Sequence, residues 1–439
     1  MRTAGRAAIW FGGYIAVIVV PLIFAAIGVV DDDRGFWREF AVALGFVGLS
    51  MMGLQFVLVA RLRTVAAPFG EDALVHFHRY MGYAGTVFIL AHPVLLIVLV
   101  DPSYLERVNP FTAPWAGRFG TLSIVCLLVV IATSVWRVAL RISYEVWQAL
   151  HLVLSTVAII AALVHVELIN HYVDQPWKRV LWAVMTLGFL GMFVWVRVVR
   201  PVTRMRRPWT VTSVTAERGG VNTVTFRPVG HAGFTFEPGQ FGWLSLHRSP
   251  FAVTQHPFSF SSNGDDASSL QMSIKELGDF TGTVGAIAPG TRAYIDGPHG
   301  VFSPDRQPGP GCVFLAGGVG IGPIRSMLQT LADRGDDRPC HLFYGTTGLA
   351  DATYHEEILE LSTRLRLNVI HVASDPPDDW TGERGFITVD TLRRHLPDDY
   401  PALQYFICGP GAMQDAMEAA LADVGVPGDR VHTERFNFV

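Results

Sequence analysis

The sequence predicts a multidomain chain: a six-helix transmembrane bundle, then an antiparallel β-barrel, then an α/β domain built on a parallel sheet. Three observations carry this. Long apolar segments fill residues 1–200 and cease at Pro201. Short alternating runs broken by Gly, Pro and Asn occupy residues 208–302, as half-buried strands do. Strand-like and helix-like stretches then alternate through residues 310–439, which argues for a parallel sheet. The expected domains are 1–203, 204–308 and 309–439.

The apolar segments run roughly over 8–30, 38–60, 73–100, 118–140, 144–168 and 178–200, each long enough for a span of about 20 residues. Half of the 439 residues are hydrophobic and only 16% are charged, as a membrane protein requires. Arginines sort the loops. Arg2 and Arg6 precede the first span, Arg61 and Arg63 follow the second, Arg137 and Arg141 follow the fourth, and Arg197, Arg200, Arg204, Arg206 and Arg207 follow the sixth. The opposite loops hold Asp31, Asp32, Asp33, Asp101, Glu106, Glu167 and Asp174. By the positive-inside rule both termini and the soluble half are cytoplasmic, and the protein is a multi-pass protein of the cell membrane. The first span is long and lacks a clear cleavage site, so it reads as an anchor and not a signal peptide.

Spans three and five each carry a histidine pair fourteen residues apart, His78 and His92, then His151 and His165. Fourteen residues fall about 40° short of four helical turns and rise about 21 Å. Each pair therefore lies on one helix face. The two spans run the same way, so His78 meets His151 near the inner face and His92 meets His165 near the outer face. Ionisable residues in lipid are costly and usually functional, and imidazole is a common haem ligand. The spacing predicts a bis-histidine cage for two b-type haems. Zinc or copper is the competing reading, but neither helix supplies nearby cysteine or carboxylate to complete a four-ligand site. His76 lies about 160° around the helix from His92 and reads as a polar residue at the span entrance. Arg79, Arg137 and Arg141 either pair with haem propionates or set topology.

In the soluble half, His256-Pro257-Phe258-Ser259 stands among the strands, followed by a run from Ile274 through Lys275, Gly278, Asp279, Phe280 and Thr281 to Gly282. That second run can open a helix whose free N–H groups bind phosphate. The apolar strand Cys312–Ala316 enters Gly317-Gly318-Val319-Gly320-Ile321-Gly322-Pro323, with a helix from about Ile324. A glycine turn between strand and helix is where a dinucleotide pyrophosphate sits. Later strands are expected at 341–344, 368–372 and 404–407. The last delivers Cys408-Gly409-Pro410 to the carboxyl edge of the sheet, where ligands gather. The cysteines, Cys126, Cys312, Cys340 and Cys408, form no CxxC, which argues against an iron–sulfur cluster.

Taken together these residues resemble the ferric reductase and NADPH oxidase superfamily of transmembrane flavocytochromes, over nearly the whole chain. The soluble half is similar to ferredoxin–NADP reductases. The resemblance implies a six-span haem domain, an FAD-binding β-barrel and an NAD(P)-binding α/β domain. It implies that His256–Ser259 contact flavin with Ser259 at its reactive edge, and that Lys275, Gly278, Phe280 and Thr281 belong to the flavin phosphate stretch. It implies that Gly318, Gly320 and Pro323 hold the nucleotide, and that Cys408, Gly409 and Pro410 lie beside nicotinamide. The histidine quartet matches the haem ligands. Phe438 is the candidate for an aromatic that covers the flavin, although Val439 follows it. The strand ending Phe343-Tyr344-Gly345-Thr346-Thr347-Gly348 lacks the Arg or Lys that would hold a 2′-phosphate, so NADH, or weak discrimination from NADPH, is expected. Leu96 stands where oxygen-reducing members carry a polar residue.

The implied activity moves electrons from cytoplasmic NAD(P)H through FAD and two haems to an acceptor on the outer face, either ferric or cupric ion or oxygen. A feeder reductase for a membrane quinone or a partner redox protein is the alternative. A metal-binding transporter or sensor is the non-enzymatic one, and it leaves the flavin and nucleotide motifs unexplained. The expected partners are a nicotinamide nucleotide, the bilayer and the outer acceptor, with no nucleic acid.

Overall fold

The computed structural model describes residues 2–27, 35–62, 69–246, 249–251 and 255–435, with the side chains of residues 2–4, 6, 24 and 25 excepted. The chain divides into two units, Met1–Arg200 and Pro201–Val439.

The first unit is helical: α1 (Arg2–Ala26), α2 (Phe36–Leu58), α3 (Glu71–Leu95), α4 (Trp115–Val135), α5 (Tyr144–Ile169) and α6 (Pro176–Val194). Five described helical stretches are long and apolar enough to cross a membrane: Phe36–Leu58, Glu71–Val100, Trp115–Val135, Tyr144–Ile169 and Pro176–Met205. The sequence led us to expect six. Within α1 the apolar helix Ala7–Ile23 is shorter than the roughly 20 residues of a typical span, and the expected segment, 8–30, runs on into residues 28–30, outside those described.

Local chemistry sets the helix ends. Ser143 caps α5 by accepting from the Val146 N–H at 3.4 Å, and Asn170 closes it in the left-handed conformation. Pro93 lies inside α3, which widens into a π-turn over Leu96–Val100. Proline has no N–H to donate and crowds the preceding turn, so the ladder must adjust nearby. The most enclosed span is α2, with 56% buried against 11–28% in the other four. It packs on α3, while α4 packs on α5. The two histidine-bearing helices, α3 and α5, thus each back onto a different neighbour. Outward positions such as Val98, Val184 and Leu187 are exposed apolar residues, which a bilayer would cover.

The second unit holds two sheets. Strands β1 (Trp209–Glu217), β2 (Val221–Pro228), β3 (Phe241–Leu246), β4 (His256–Ser259), β5 (Leu270–Lys275) and β6 (Arg292–His299) form an antiparallel sheet in the order β4-β3-β6-β1-β2-β5. The sheet curls, but it is not the fully laddered barrel expected. Its edges β4 and β5 meet only just past β4, through a bridge between Phe260 and Met272 and the Ser261 N–H donating to the Gln271 carbonyl at 2.8 Å. Ser262 and Asn263 then leave the sheet before pairing can continue.

The other sheet has the order β10-β9-β8-β7-β11-β12 and is parallel throughout. Its strands are β7 (Cys312–Gly317), β8 (Cys340–Thr346), β9 (Leu367–Ala373), β10 (Glu383–Arg384), β11 (Gln404–Cys408) and β12 (Val431–Thr433). Helices α7 (Ile321–Asp333), α8 (His355–Arg364), α9 (Val389–His395) and α10 (Gly411–Asp423) accompany it. Every residue of β7 and β11 is buried, as the centre of a doubly covered parallel sheet demands.

Candidate redox sites

In the helical unit the structure brings His78 and His151 together, with ring centroids 6.2 Å apart and planes at 52°. His92 and His165 come within electrostatic range of each other. All four rings are half-buried. His92 Nδ1 lies 2.9 Å from the Ala41 carbonyl and His165 Nδ1 lies 2.7 Å from the Ala116 carbonyl. A carbonyl only accepts, so each Nδ1 carries the proton and each Nε2 keeps its lone pair. His151 Nδ1 lies 3.2 Å from the Ser134 hydroxyl, while His78 Nδ1 is buried with no hydrogen-bond partner among the described residues. His76 is exposed and bonds the Asp72 carbonyl at 3.0 Å, as a residue at the span entrance would.

Two glycines make room for the second pair. A Cβ on Gly45 would stand 3.2 Å from His92 Nδ1, and one on Gly120 would stand 3.0 Å from His165 Nδ1. Sequence inspection passed over both, because the contact joins distant parts of the chain. Gly120→Val is expected to displace the His165 ring and break its bond to Ala116. Loss of such a supporting bond would cost about 10–100-fold in the affinity of that ring for a metal, read by metal analysis of the purified variant against wild type.

In the second unit β4 carries His256–Ser259 at the sheet edge, opposite Leu244 to Phe241 of β3. Phe280 stacks on His256 with centroids 3.8 Å apart and planes at 15°, and lies parallel to Phe258 at 6.2 Å. The two motifs predicted separately are thus one aromatic stack. Lys275 ends β5 opposite Val221. The run after it opens a helix, as expected, though a short one: a six-residue 3₁₀ helix, Thr281–Ala286. Its Leu277 and Gly278 N–H groups are not free: both donate to Thr281 Oγ1 at 2.9 Å. The short polar side chain competes for the backbone donors and holds a turn.

The glycine loop follows β7 as one 3₁₀ turn, Gly318–Gly320, and α7 begins at Ile321, three residues earlier than expected. Pro323 sits in its first turn, where a missing N–H costs nothing. Gly318 adopts φ +52°, a conformation that disfavours side chains. A Cβ on Gly320 would lie 2.2 Å from the Cys408 carbonyl oxygen, and one on Gly317 would lie 2.2 Å from Met413 Sδ. The loop therefore rests directly on Cys408-Gly409. Parallel pairing of Cys408 with Ala316 brings these motifs, some ninety residues apart, to one sheet edge. Phe438 lies outside the described residues.

A buried knot joins the antiparallel and the parallel sheet of the second unit. Arg325 of α7 donates to both Glu357 oxygens at 2.8 and 2.9 Å, to the Ser261 carbonyl at 2.7 Å and to Gln271 Oε1 at 2.7 Å. Its guanidinium also covers the Tyr354 ring at 4.3 Å. Tyr354 Oη in turn bonds Ser273 Oγ at 2.6 Å and the Thr223 hydroxyl. Sequence inspection missed Arg325, since its partners span both halves.

Two family models match. Residues 44–162 match the ferric reductase like transmembrane component, and residues 314–419 match the oxidoreductase NAD-binding domain. The chain thus carries a ferric reductase-like transmembrane component followed by an oxidoreductase NAD-binding domain. The membrane match holds His78, His92 and His151 and stops before His165. The nucleotide match holds Gly318, Gly320, Pro323 and Cys408–Pro410. The chain is similar to the propane 2-monooxygenase reductase component of Rhodococcus jostii, at 29% identity over 52% of this chain and 62% of that one. It is also similar to ferredoxin–NADP reductase B of Sorangium cellulosum, at 28% identity over 49% of this chain and 92% of that one. The match thus spans about three fifths of the length of the first relative. Among solved structures, the flavohaemoglobin-like FAD/NAD-binding domain of nitric oxide dioxygenase from Vibrio cholerae aligns with TM-score 0.47 and 20% identity, over 52% of this chain and 98% of that one.

Burial pushes the Cys408 and Cys312 thiols of the reductase up to about 12, and raises Cys340 further. A thiolate is the reactive form, so at pH 8 these groups are neutral and enclosed. The native reductase should resist maleimide labelling at all three positions and label fully only after denaturation, as read by intact mass.

Proposed function

We propose that this oxidoreductase moves electrons from cytoplasmic NADH or NADPH, through FAD and two b-type haems, to ferric or cupric ion or oxygen on the outer face of the cell membrane. The supporting observation is the histidine quartet. Its second pair donates both Nδ1 protons to carbonyls, which leaves the Nε2 lone pairs for metal. Imidazole is a common ligand of haem iron, and each pair would supply two. A ring nitrogen binds metal at about 2 Å, so two rings that would share one bound ion have centroids up to roughly 6 Å apart. The 6.2 Å between His78 and His151 fits.

When bound, these groups supply hydride transfer, division of an electron pair and single-electron carriage. The chain supplies position and polarity. His78 with His151, and His92 with His165, would hold the inner and outer haem. His256, Pro257, Phe258 and Ser259, with Lys275, Gly278, Phe280 and Thr281, would seat FAD, with Ser259 at the reactive edge. Gly318 and Gly320 admit a pyrophosphate close to backbone, and Pro323 starts the helix behind it. Cys408, Gly409 and Pro410 would border nicotinamide, with the Cys408 thiol kept neutral and unreactive. Arg325 fixes the spacing between the flavin and nucleotide segments. Domains at 1–203, 204–308 and 309–439, with α1 as a sixth span, complete the reading.

The experiment uses sealed vesicles with the reductase facing outward, NADH added outside and a membrane-impermeant ferric chelate enclosed. Reduction of the enclosed chelate is expected. Reduction only when chelate and NADH share a side would contradict transmembrane transfer.

A further inference from the structure

The two histidine pairs are supported differently. In the His92–His165 pair both ligands donate to backbone carbonyls, at 2.9 and 2.7 Å. In the His78–His151 pair a carbonyl stands near only one ring: that of Gln55 lies beside His78 without completing a hydrogen bond to Nδ1. His78 Nδ1 has no partner among the described residues, and His151 Nδ1 meets a side chain, the Ser134 hydroxyl.

The proton count at Ser134 settles who donates. A hydroxyl has one hydrogen and two lone pairs, and an indole N–H only donates. Ser134 Oγ lies 2.7 Å from the Val130 carbonyl, so its hydrogen is committed there. Trp147 Nε1 approaches the same oxygen at 3.2 Å and fills one lone pair. The remaining contact, at 3.2 Å, is therefore His151 donating from Nδ1, which leaves Nε2 with its lone pair. Trp147 also flanks the His151 ring at 5.4 Å and carries the Arg137 guanidinium at 5.9 Å. The hydroxyl is thus held in place from two sides.

We propose that Ser134 is the positioning residue of this site: its hydroxyl fixes the His151 tautomer and sets how strongly that imidazole donates to the haem iron. The inference rests on the haem reading above. A hydrogen bond from the distal ring N–H orients a ligating histidine and raises its basicity. Here that bond is longer than in the other pair and shared with Trp147, so His151 is the weaker donor. The two haems are then electronically distinct, and only one of them answers to position 134.

The test uses the full-length protein, wild type, Ser134→Ala and Ser134→Thr, each alone and combined with His92→Leu. Haem per polypeptide is measured together with an anaerobic reductive titration followed by absorbance. In Ser134→Ala one component should move to higher potential, because a less basic ligand stabilises ferric iron less, and retention of that haem should weaken about 10-fold. Ser134→Thr keeps the hydroxyl and should titrate like wild type. In the His92→Leu background the component that remains should be the one that moves. Unshifted components in Ser134→Ala would overturn the proposal, and so would equal changes in the alanine and threonine variants, which would indicate packing alone. Wild-type protein without haem would overturn the haem reading itself, and this proposal with it.

Discussion

Replacing His92 with leucine is expected to halve the haem bound per polypeptide and to cut electron delivery to an outer acceptor by at least about 100-fold, the upper range for damage to a metal site. Leucine matches the ring's bulk but offers no nitrogen to a metal and none to the Ala41 carbonyl, which His92 holds at 2.9 Å. The reductase unit is a separate compact body, so NADH oxidation by a soluble dye that takes electrons at the flavin should persist. Haem content, dye reduction and chelate reduction on one preparation check the split. Full haem content in the variant would refute the ligand assignment.

Gly320→Val is expected to do the reverse, slowing entry of electrons about 100-fold while leaving haem in place. Its Cβ would stand 2.2 Å from the Cys408 carbonyl oxygen, 2.5 Å from the Cys408 carbonyl carbon and 2.8 Å from the Gly409 nitrogen. All three are backbone atoms of a central strand end, and no rotamer relieves the contact. Overpacking of this kind costs about 1–3 kcal/mol. A loop displaced by about 1 Å can cost on the order of 100-fold in rate. NADH oxidation with ferricyanide should fall by that factor, with flavin still bound and haem still reducible by dithionite. Gly318 has open space for a Cβ but a positive φ, so Gly318→Ala should cost only about 1–2 kcal/mol of loop strain. Equal damage from both variants would contradict the close-packing account.

What could be read from the sequence was whatever depends on local period and spacing. The spans, the fourteen-residue histidine pairs and the strand–glycine–helix unit repeat within a few turns of chain, and helix and strand geometry makes such patterns legible. The strand expected at 404–407 is observed at Gln404–Cys408 for the same reason. Contacts between distant segments were not legible. Gly45 and Gly120 look like ordinary membrane-helix glycines until the rings of His92 and His165 are set against them. Ser134 lies seventeen residues before His151, across a helical hairpin with no fixed register. Arg325 reads as a surface residue of an amphipathic helix, yet it is buried among partners from β5, the segment after β4, and α8. In the turn after β5, a threonine hydroxyl, invisible to periodicity, accepts from the Leu277 and Gly278 N–H groups that a helix start would leave open.

The central claim is that one polypeptide carries electrons from nicotinamide to histidine-bound haem. Anaerobic absorbance spectroscopy of the purified protein with FAD, titrated with NADH and then NADPH, tests it most directly. The account predicts flavin bleaching followed by sharp reduced-haem bands, with NADH at least as fast as NADPH because no basic residue follows β8 through Gly348. A protein that shows no haem spectrum despite haem supplied during expression would contradict it, as would haem that dithionite reduces and NADH does not.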